Sequence, residues 1–276
     1  MRAVCYSVML VVLLWFSTEM SRVRNKVCKL HRKPTNNFVK AHAIPRSFFH
    51  EFRGSDPNSV LVNVSGTGDL ARRIQAGVWD DEMLCRNCEA RFSDLDTYGW
   101  KILGKPDLSQ PCLDHNFQLV GYTVTCDTDK LRRFILSVLW RASVSGIPFY
   151  RHLRLGIQEK SVINRVFDQA PLLPNEFPTS VFFLEKDFLG KGVHMIFPPL
   201  ADKLPTGGLM CTLYLPRLKI ITTMGNASRL HQPYLFLVQK PDQFFMPLVP
   251  KEWSGPEFNY LRHLKERQMK LYPGAH

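Results

Sequence analysis

Cysteine is the residue type whose spacing first points to chemistry. Cys85 and Cys88 lie in the stretch LCRNCEARF with two residues between them, and Cys28 and His31 repeat that spacing upstream in VCKLHRK. A two-residue spacer lets two side chains converge on one ion while backbone amides steady the thiolate. Three sulfurs and one imidazole complete a tetrahedral Cys₃His set, one of the usual structural zinc types. Either pair alone is a weak signal. Together they make Cys28, His31, Cys85 and Cys88 the candidate zinc ligands. Fifty-three residues separate His31 from Cys85, which a folded insert can span.

The remaining cysteines support a metal rather than a disulfide framework. Seven are present, an odd number with one closely spaced pair, a pattern that fits a reducing cytosol. Cys112, Cys126 and Cys211 read as plain buried thiols.

Charge suggests the partner. The chain of 276 residues has 36 Lys and Arg against 24 Asp and Glu, a formal net charge of +12. Such a balance favours polyanions, nucleic acid or an anionic membrane surface. The excess is concentrated: residues 21–60 hold nine basic residues and two acids. Arg32, Lys33, Lys40, Arg46 and Arg53 of this segment are the candidate nucleic-acid contacts. The alternative reading is an ordinary solvated basic face.

Elements to position these residues can be read along the chain. Hydrophobic residues at 45% and charged residues at 22% are ordinary globular composition. The stretch 1–20 has an apolar run too short for a comfortable span of roughly 20 residues. It resembles a signal-peptide core without a cleavage site, or an upstream stretch ahead of a true start at Met20, the reading preferred here. No stable membrane insertion is expected, and a cytoplasmic location is. Residues 45–52 begin with Pro and predict a short helix. A strand is expected through 60–64 and a helix through 86–103 after the Cys pair, with a linker at 103–111. Leu131, Phe134, Ile135, Val138 and Leu139 recur at helical spacing, so 127–146 is the strongest helix, capped by Asp127 or Asp129. A further helix covers 158–170. From about 178, short β-prone runs separated by turns such as LPTGGL and TMGN predict an antiparallel sheet of four or five strands. A last helix is expected over 256–270. The fold class is therefore α+β, with a metal-binding module over 21–105 and an α+β domain over 106–276.

Between the two ligand pairs lies VKAHAIPRSFF (39–49), and the later pair sits in MLCRNCEARFS (83–93). This combination resembles the HNH endonuclease superfamily, with its treble-clef zinc fold. It is more closely similar to a bacterial HNH-like group in which SHIIPR-F is followed by LLCxxCE-RFS. FILSVLWRASVS (134–145) resembles a downstream segment of that group. The resemblance covers roughly residues 25 to 145. It implies a structural zinc and a His that takes a proton from water while a second divalent ion, Mg²⁺ or Mn²⁺, steadies the phosphate. By position the general base is His42. The family's middle Asn falls on Asp80, which can still orient the His42 ring, and its last metal-ligating His falls on Glu89, whose carboxylate suits Mg²⁺ or Mn²⁺. The residue before the family's catalytic His, normally Asp or His, is Ala41, which cannot ligate.

Two functions follow. One is a metal-dependent endonuclease with His42, Asp80 and Glu89 as its catalytic set. The other is a non-catalytic zinc module gripping nucleic acid or a protein in a regulatory or defence protein, its C-terminal half offering Phe244, Phe245, Trp253 and Tyr260 as a partner surface. The nuclease is the preferred expectation from sequence. Fold alone does not license activity.

Overall fold

The computed structural model describes residues 26–50, 61–63, 72–74, 77–173, 175–184, 196–205, 207–225 and 240–249. The apolar leader, Arg53, Trp253, Tyr260, and the helix expected over 256–270 lie outside these. The architecture is α+β. In chain order the elements are α1 (Arg46–His50), the paired strands β1 (Leu61–Asn63) and β2 (Arg72–Ile74), α2 (Arg86–Ala90) and α3 (Ser93–Gly99). A π turn at Trp100–Gly104 follows, then β3 (Pro111–Leu113), β4 (Leu119–Thr125), α4 (Thr128–Val144) and α5 (Glu159–Phe167). The chain continues with β5 (Thr179–Phe183), β6 (Leu200–Lys203), β7 (Leu209–Leu215), β8 (Leu218–Met224) and β9 (Gln243–Pro247). Among the described residues no helix is long and apolar enough to cross a membrane.

The expected sheet is present as four antiparallel strands in the order β5-β8-β7-β6. Beside it stands an antiparallel group β3-β4-β9, which the sequence reading did not include. A parallel bridge between Phe183 and Leu248 joins the two. Phe244, read from sequence as an exposed aromatic, is instead 3% exposed, because strand alternation on β9 turns it and Met246 into the core. Among the described residues the large cluster of buried apolar side chains runs from Cys28 through α4 to Met246, with a small second one at Leu184 and Tyr214, so one main core serves both halves of the chain.

Helix α4 is the centre of that core. Asp127 caps it by accepting the Lys130 N–H at 2.9 Å, as expected. The sequence periodicity suggested one apolar face, yet the helix is covered on nearly every side, including at Arg132, Arg133 and Arg141. A buried guanidinium is tolerable only when its donors are satisfied. Arg132 donates to the Leu173 carbonyl at 2.8 Å and also to that of Glu176. Arg133 donates to Asp129 at 2.6 Å and to the carbonyls of Arg165, Asp168 and Ala170. These bonds lay the irregular chain after α5 against the helix, where it could not otherwise pair its carbonyls.

Glu176 closes this loop through two contacts to Arg165, at 2.6 and 2.8 Å. The bond from Arg165 holds the Glu176 carboxyl below the ordinary value of 4.5, against the opposing effect of burial. The native state therefore binds fewer protons than the unfolded one. The stabilisation is present above about pH 4.5 and is lost as pH falls through the lowered native value. Glu176→Gln should lower stability at pH 7 by roughly 1 kcal/mol, since the pair is partly exposed. In urea titrations its deficit against wild type should shrink as pH falls below that of an ordinary carboxylate. A deficit independent of pH would assign the effect to packing.

Candidate metal centre and its surroundings

The metal group begins at a tight turn. Arg32 N–H donates to the Cys28 carbonyl at 2.8 Å, and Arg32 takes a φ of 56°, a left-handed conformation that side chains seldom adopt. The turn brings His31 back beside Cys28. The second pair sits at the start of α2, with Cys85 as its N-cap residue and Cys88 in its first turn. An antiparallel bridge between Phe38 and Cys85 joins the two segments, and the Cys85 N–H points at Cys28 Sγ at 3.5 Å.

Ligand atoms of Cys28, His31, Cys85 and Cys88 all lie within 4.8 Å of one another. Donors of a tetrahedral ion are separated by roughly 3.5–3.8 Å, given ligand bonds of about 2.0–2.3 Å. The group is thus close to the size a metal ion needs. His31 Nε2 is 3.5 Å from Cys85 Sγ, which makes it the nitrogen that faces the site. The three cysteines are buried and His31 is exposed. Burial pushes the Cys28 thiol up, but backbone N–H groups of Cys85, His31 and Leu30 outweigh it, so its pKa is lowered. Burial, followed by the neighbouring sulfurs, pushes Cys88 up to about 12. Crowded thiols of this kind favour a shared cation, which deprotonates the sulfurs it binds. The donor set can hold a metal ion such as zinc. Four protein donors would fill a tetrahedral shell, and the ion would act there as a cross-link.

His42 follows directly. A bridge between Ala41 and Asp80, with bonds of 2.8 and 3.1 Å in the two directions, fixes the strand that leads into it. Ala41 points into the core, Lys40 is exposed and His42 is part-exposed, the alternation of an extended segment. The His42 backbone is held on both sides. Its N–H points at the Glu89 carboxylate, and its carbonyl accepts from Arg141 at 2.9 Å. Arg141 is fully buried, grips Asp96 with two nitrogens, and lies over the Phe92 ring at 4.8 Å. Burial raises the Glu89 pKa, an effect that the charge of Arg141 only partly offsets. The second carboxylate oxygen of Glu89 has no hydrogen-bond partner among the described residues.

Asp80 lies beside this segment with its carboxylate turned to the fold. One oxygen accepts from the Glu82 N–H at 2.9 Å, and the other accepts from the Ser145 hydroxyl and the Gly146 N–H, both at 2.8 Å. It thereby ties the C-terminal end of α4 to the metal-binding segment. Sequence reasoning missed two members of this neighbourhood. Arg141, expected to be a core and helix-end residue, reaches partners 45 and 99 positions away. Trp79 is part-exposed, with Lys40 Nζ 5.0 Å from its ring centre and the His42 ring 6.3 Å away. Its only sequence signal was an aromatic just before an acidic turn. Of the candidate nucleic-acid contacts, Arg32, Lys33, Lys40 and Arg46 are exposed.

No family model matches the chain, and no curated protein or solved structure matches it.

Two measurements separate the cross-link from its surroundings. Asp80→Ala should retain its metal, because no ligand is lost. It should nevertheless unfold more easily by roughly 3 kcal/mol, since a buried carboxylate with charge-assisted bonds is removed. Cys85→Ser should lose the metal on dialysis and unfold at much lower denaturant, since ion-binding energy is folding energy. Elemental analysis beside urea unfolding reads both. Equal metal retention in the two variants would remove Cys85 from the ligand set.

Proposed function

We propose that residues 26 to about 145 form an HNH-like module, cross-linked by zinc, that binds nucleic acid through its phosphates without cleaving them. The support for zinc is the three-sulfur, one-imidazole donor set and its spacing. The support for a polyanionic partner is the net charge of +12 together with the exposed Lys29, Arg32 and Lys33 around the ligand turn and the nearby Lys40 and Arg46. The fold class and the positions of AHAIPRSFF and LCRNCE support the HNH-like reading.

The observation that carries the choice against hydrolysis is the use made of the carboxylates. Asp80 accepts three bonds from Glu82, Ser145 and Gly146. Glu89 accepts from the His42 backbone, and Ala41 offers no donor. Among the described residues, the one cluster of metal-ligating side chains is the zinc group itself. A hydrolytic Mg²⁺ or Mn²⁺ would need several oxygen ligands, and at these three positions only the second Glu89 oxygen is uncommitted among the described residues.

One observation favours the second reading, a metal-dependent endonuclease. His42 is part-exposed on a backbone held from both sides, and one Glu89 oxygen near it has no hydrogen-bond partner among the described residues. In that reading His42 is the base, Glu89 the ligand of the second ion, and Asp80 a positioning residue. A protein partner on the C-terminal half is a further possibility with no observation in its favour.

Anisotropy titration of labelled DNA and RNA at rising salt tests the proposal. Binding should weaken linearly in log salt, and Lys33→Glu and Arg46→Glu should each lower affinity. Incubation of wild type with plasmid DNA, single-stranded DNA and RNA in Mg²⁺ or Mn²⁺ should yield no cleavage beyond that of His42→Ala. Cleavage abolished by that substitution would replace the proposal with the endonuclease. An absence of binding to any nucleic acid would reject both.

A further inference from the structure

We infer that Trp79, with Lys40 and His42, is a stacking platform for an unpaired nucleobase, so that the module takes single-stranded rather than duplex nucleic acid. The inference rests on the nucleic-acid reading above and adds to it the form of the ligand. Tryptophan is highly buried on average in folded proteins. Trp140 follows that rule at 3% exposed, and Trp100, though part-exposed, packs against the core at Phe48, whereas Trp79 is part-exposed and is not among the residues packed on the core cluster.

The ring stands on a fixed support. Gly77, at a φ of 92°, packs its backbone against Phe49, where an added Cβ would lie 2.7 Å from the ring. Asp80, directly after Trp79, is bonded through both backbone groups to Ala41 and through its carboxylate to the end of α4. The indole is therefore anchored from both sides in sequence without needing its own burial. Lys40 and His42 flank Ala41 on the extended segment; Lys40 is exposed, whereas His42 is half-buried with its Nε2 shielded from solvent. They bring an ammonium and an imidazole to the same indole, with Lys40 Nζ 5.0 Å from its centre.

That combination suits one chemical class. A base offers a π face to the indole, and its phosphate offers an anion to Lys40. The lysine stem is long and exposed, so the ammonium can leave the ring for a phosphate as a base arrives. Bases inside a duplex are stacked on one another and hide their faces, so only an unstacked base can meet the ring.

The test uses the full zinc-loaded chain with dT15, U15 and a 15-base-pair DNA duplex at one salt concentration. Trp79→Ala should lower affinity for dT15 and U15 on the order of 10-fold, and Trp79→Phe should retain most of it, since a smaller ring still stacks. Duplex affinity should be the same in all three proteins. Zinc content and urea unfolding report whether Trp79→Ala has folded. A second readout needs no disruptive variant: emission of wild type minus that of Trp79→Phe isolates Trp79, and dT15 should quench it while the duplex does not. Lys40→Ala should reduce the salt slope by about one and keep the single-strand preference. If Trp79→Ala binds dT15 as wild type does, or if dT15 leaves the difference emission unchanged, the platform is rejected and phosphate binding stands. If wild type binds no nucleic acid of either form, the underlying reading fails and the platform with it.

Discussion

A buried guanidinium is one of two polar ties between the metal-binding segment and helix α4. Arg141 lies on α4 with no exposed surface. Burial works against its charge, and the facing Asp96 more than restores it, so its pKa is raised. Its remaining donors go to the His42 carbonyl and to Ser137. An ion pair in this setting is weak evidence of net stability, because desolvation consumes much of the attraction. Its effect is geometric. A planar fork fixes direction as well as distance, so the chain at His42 is positioned from α4 as well as by the Ala41–Asp80 bridge and Glu89.

The same helix uses this device three times. Arg132 and Arg133 collect carbonyls of the chain that follows α5, and Arg141 collects one from the metal-binding segment. Asp80 supplies the reverse contact, from that segment to the last turn of α4. Two polar ties of opposite sign thus join the same pair of elements near one end of the helix. An apolar interface alone would allow small slides between them, whereas paired hydrogen-bond geometries do not. Removing either tie would leave a buried group without its partner, which couples folding of the small metal-binding segment to that of the large core.

Features set by short-range geometry were legible in the sequence. The ligand pairs are such a case, because a two-residue spacer restricts where two side chains can point. So is α4, with Asp127 as its cap and a clear apolar period. The strands around LPTGGL announced themselves by β-prone runs on either side of turn residues. The hairpin of β3 and β4 did not. Its loop depends on Asp114 accepting the N–H groups of Asn116 and Gln118 and on a left-handed Phe117, neither of which stands out in PCLDHNFQLV. Phe244 was misread for a related reason: which of two adjacent aromatics on a short strand faces the core depends on its register against β4, and Phe244 is buried while Phe245 is half-buried. The role of Arg141 was out of reach because a guanidinium spends its donors on partners that only tertiary structure brings near.

Electrostatics explains why a cross-linked centre and a basic surface can coexist in so small a region. Three thiolates around one divalent ion would carry a net charge of minus one, a modest anion by itself. The ligand turn surrounds it with exposed cations at Lys29, Arg32 and Lys33, and N–H groups of the backbone already point at Cys28. Those dipoles spread the sulfur charge inward, where solvent is excluded, while the lysine and arginine heads stay in water. The outward field is then that of the cations. Of the carboxylates near it, Asp80 and Glu89 are turned into the fold and bonded there and Asp96 is matched by Arg141, while Glu82 pairs with Lys26 at the surface and Asp81 is exposed. Bonds that draw Asp80 and Glu89 inward leave the exposed bases of the ligand turn in excess, which suits the polyanionic partner proposed above, and the same bonds hold the backbone beside His42 and Trp79 in place.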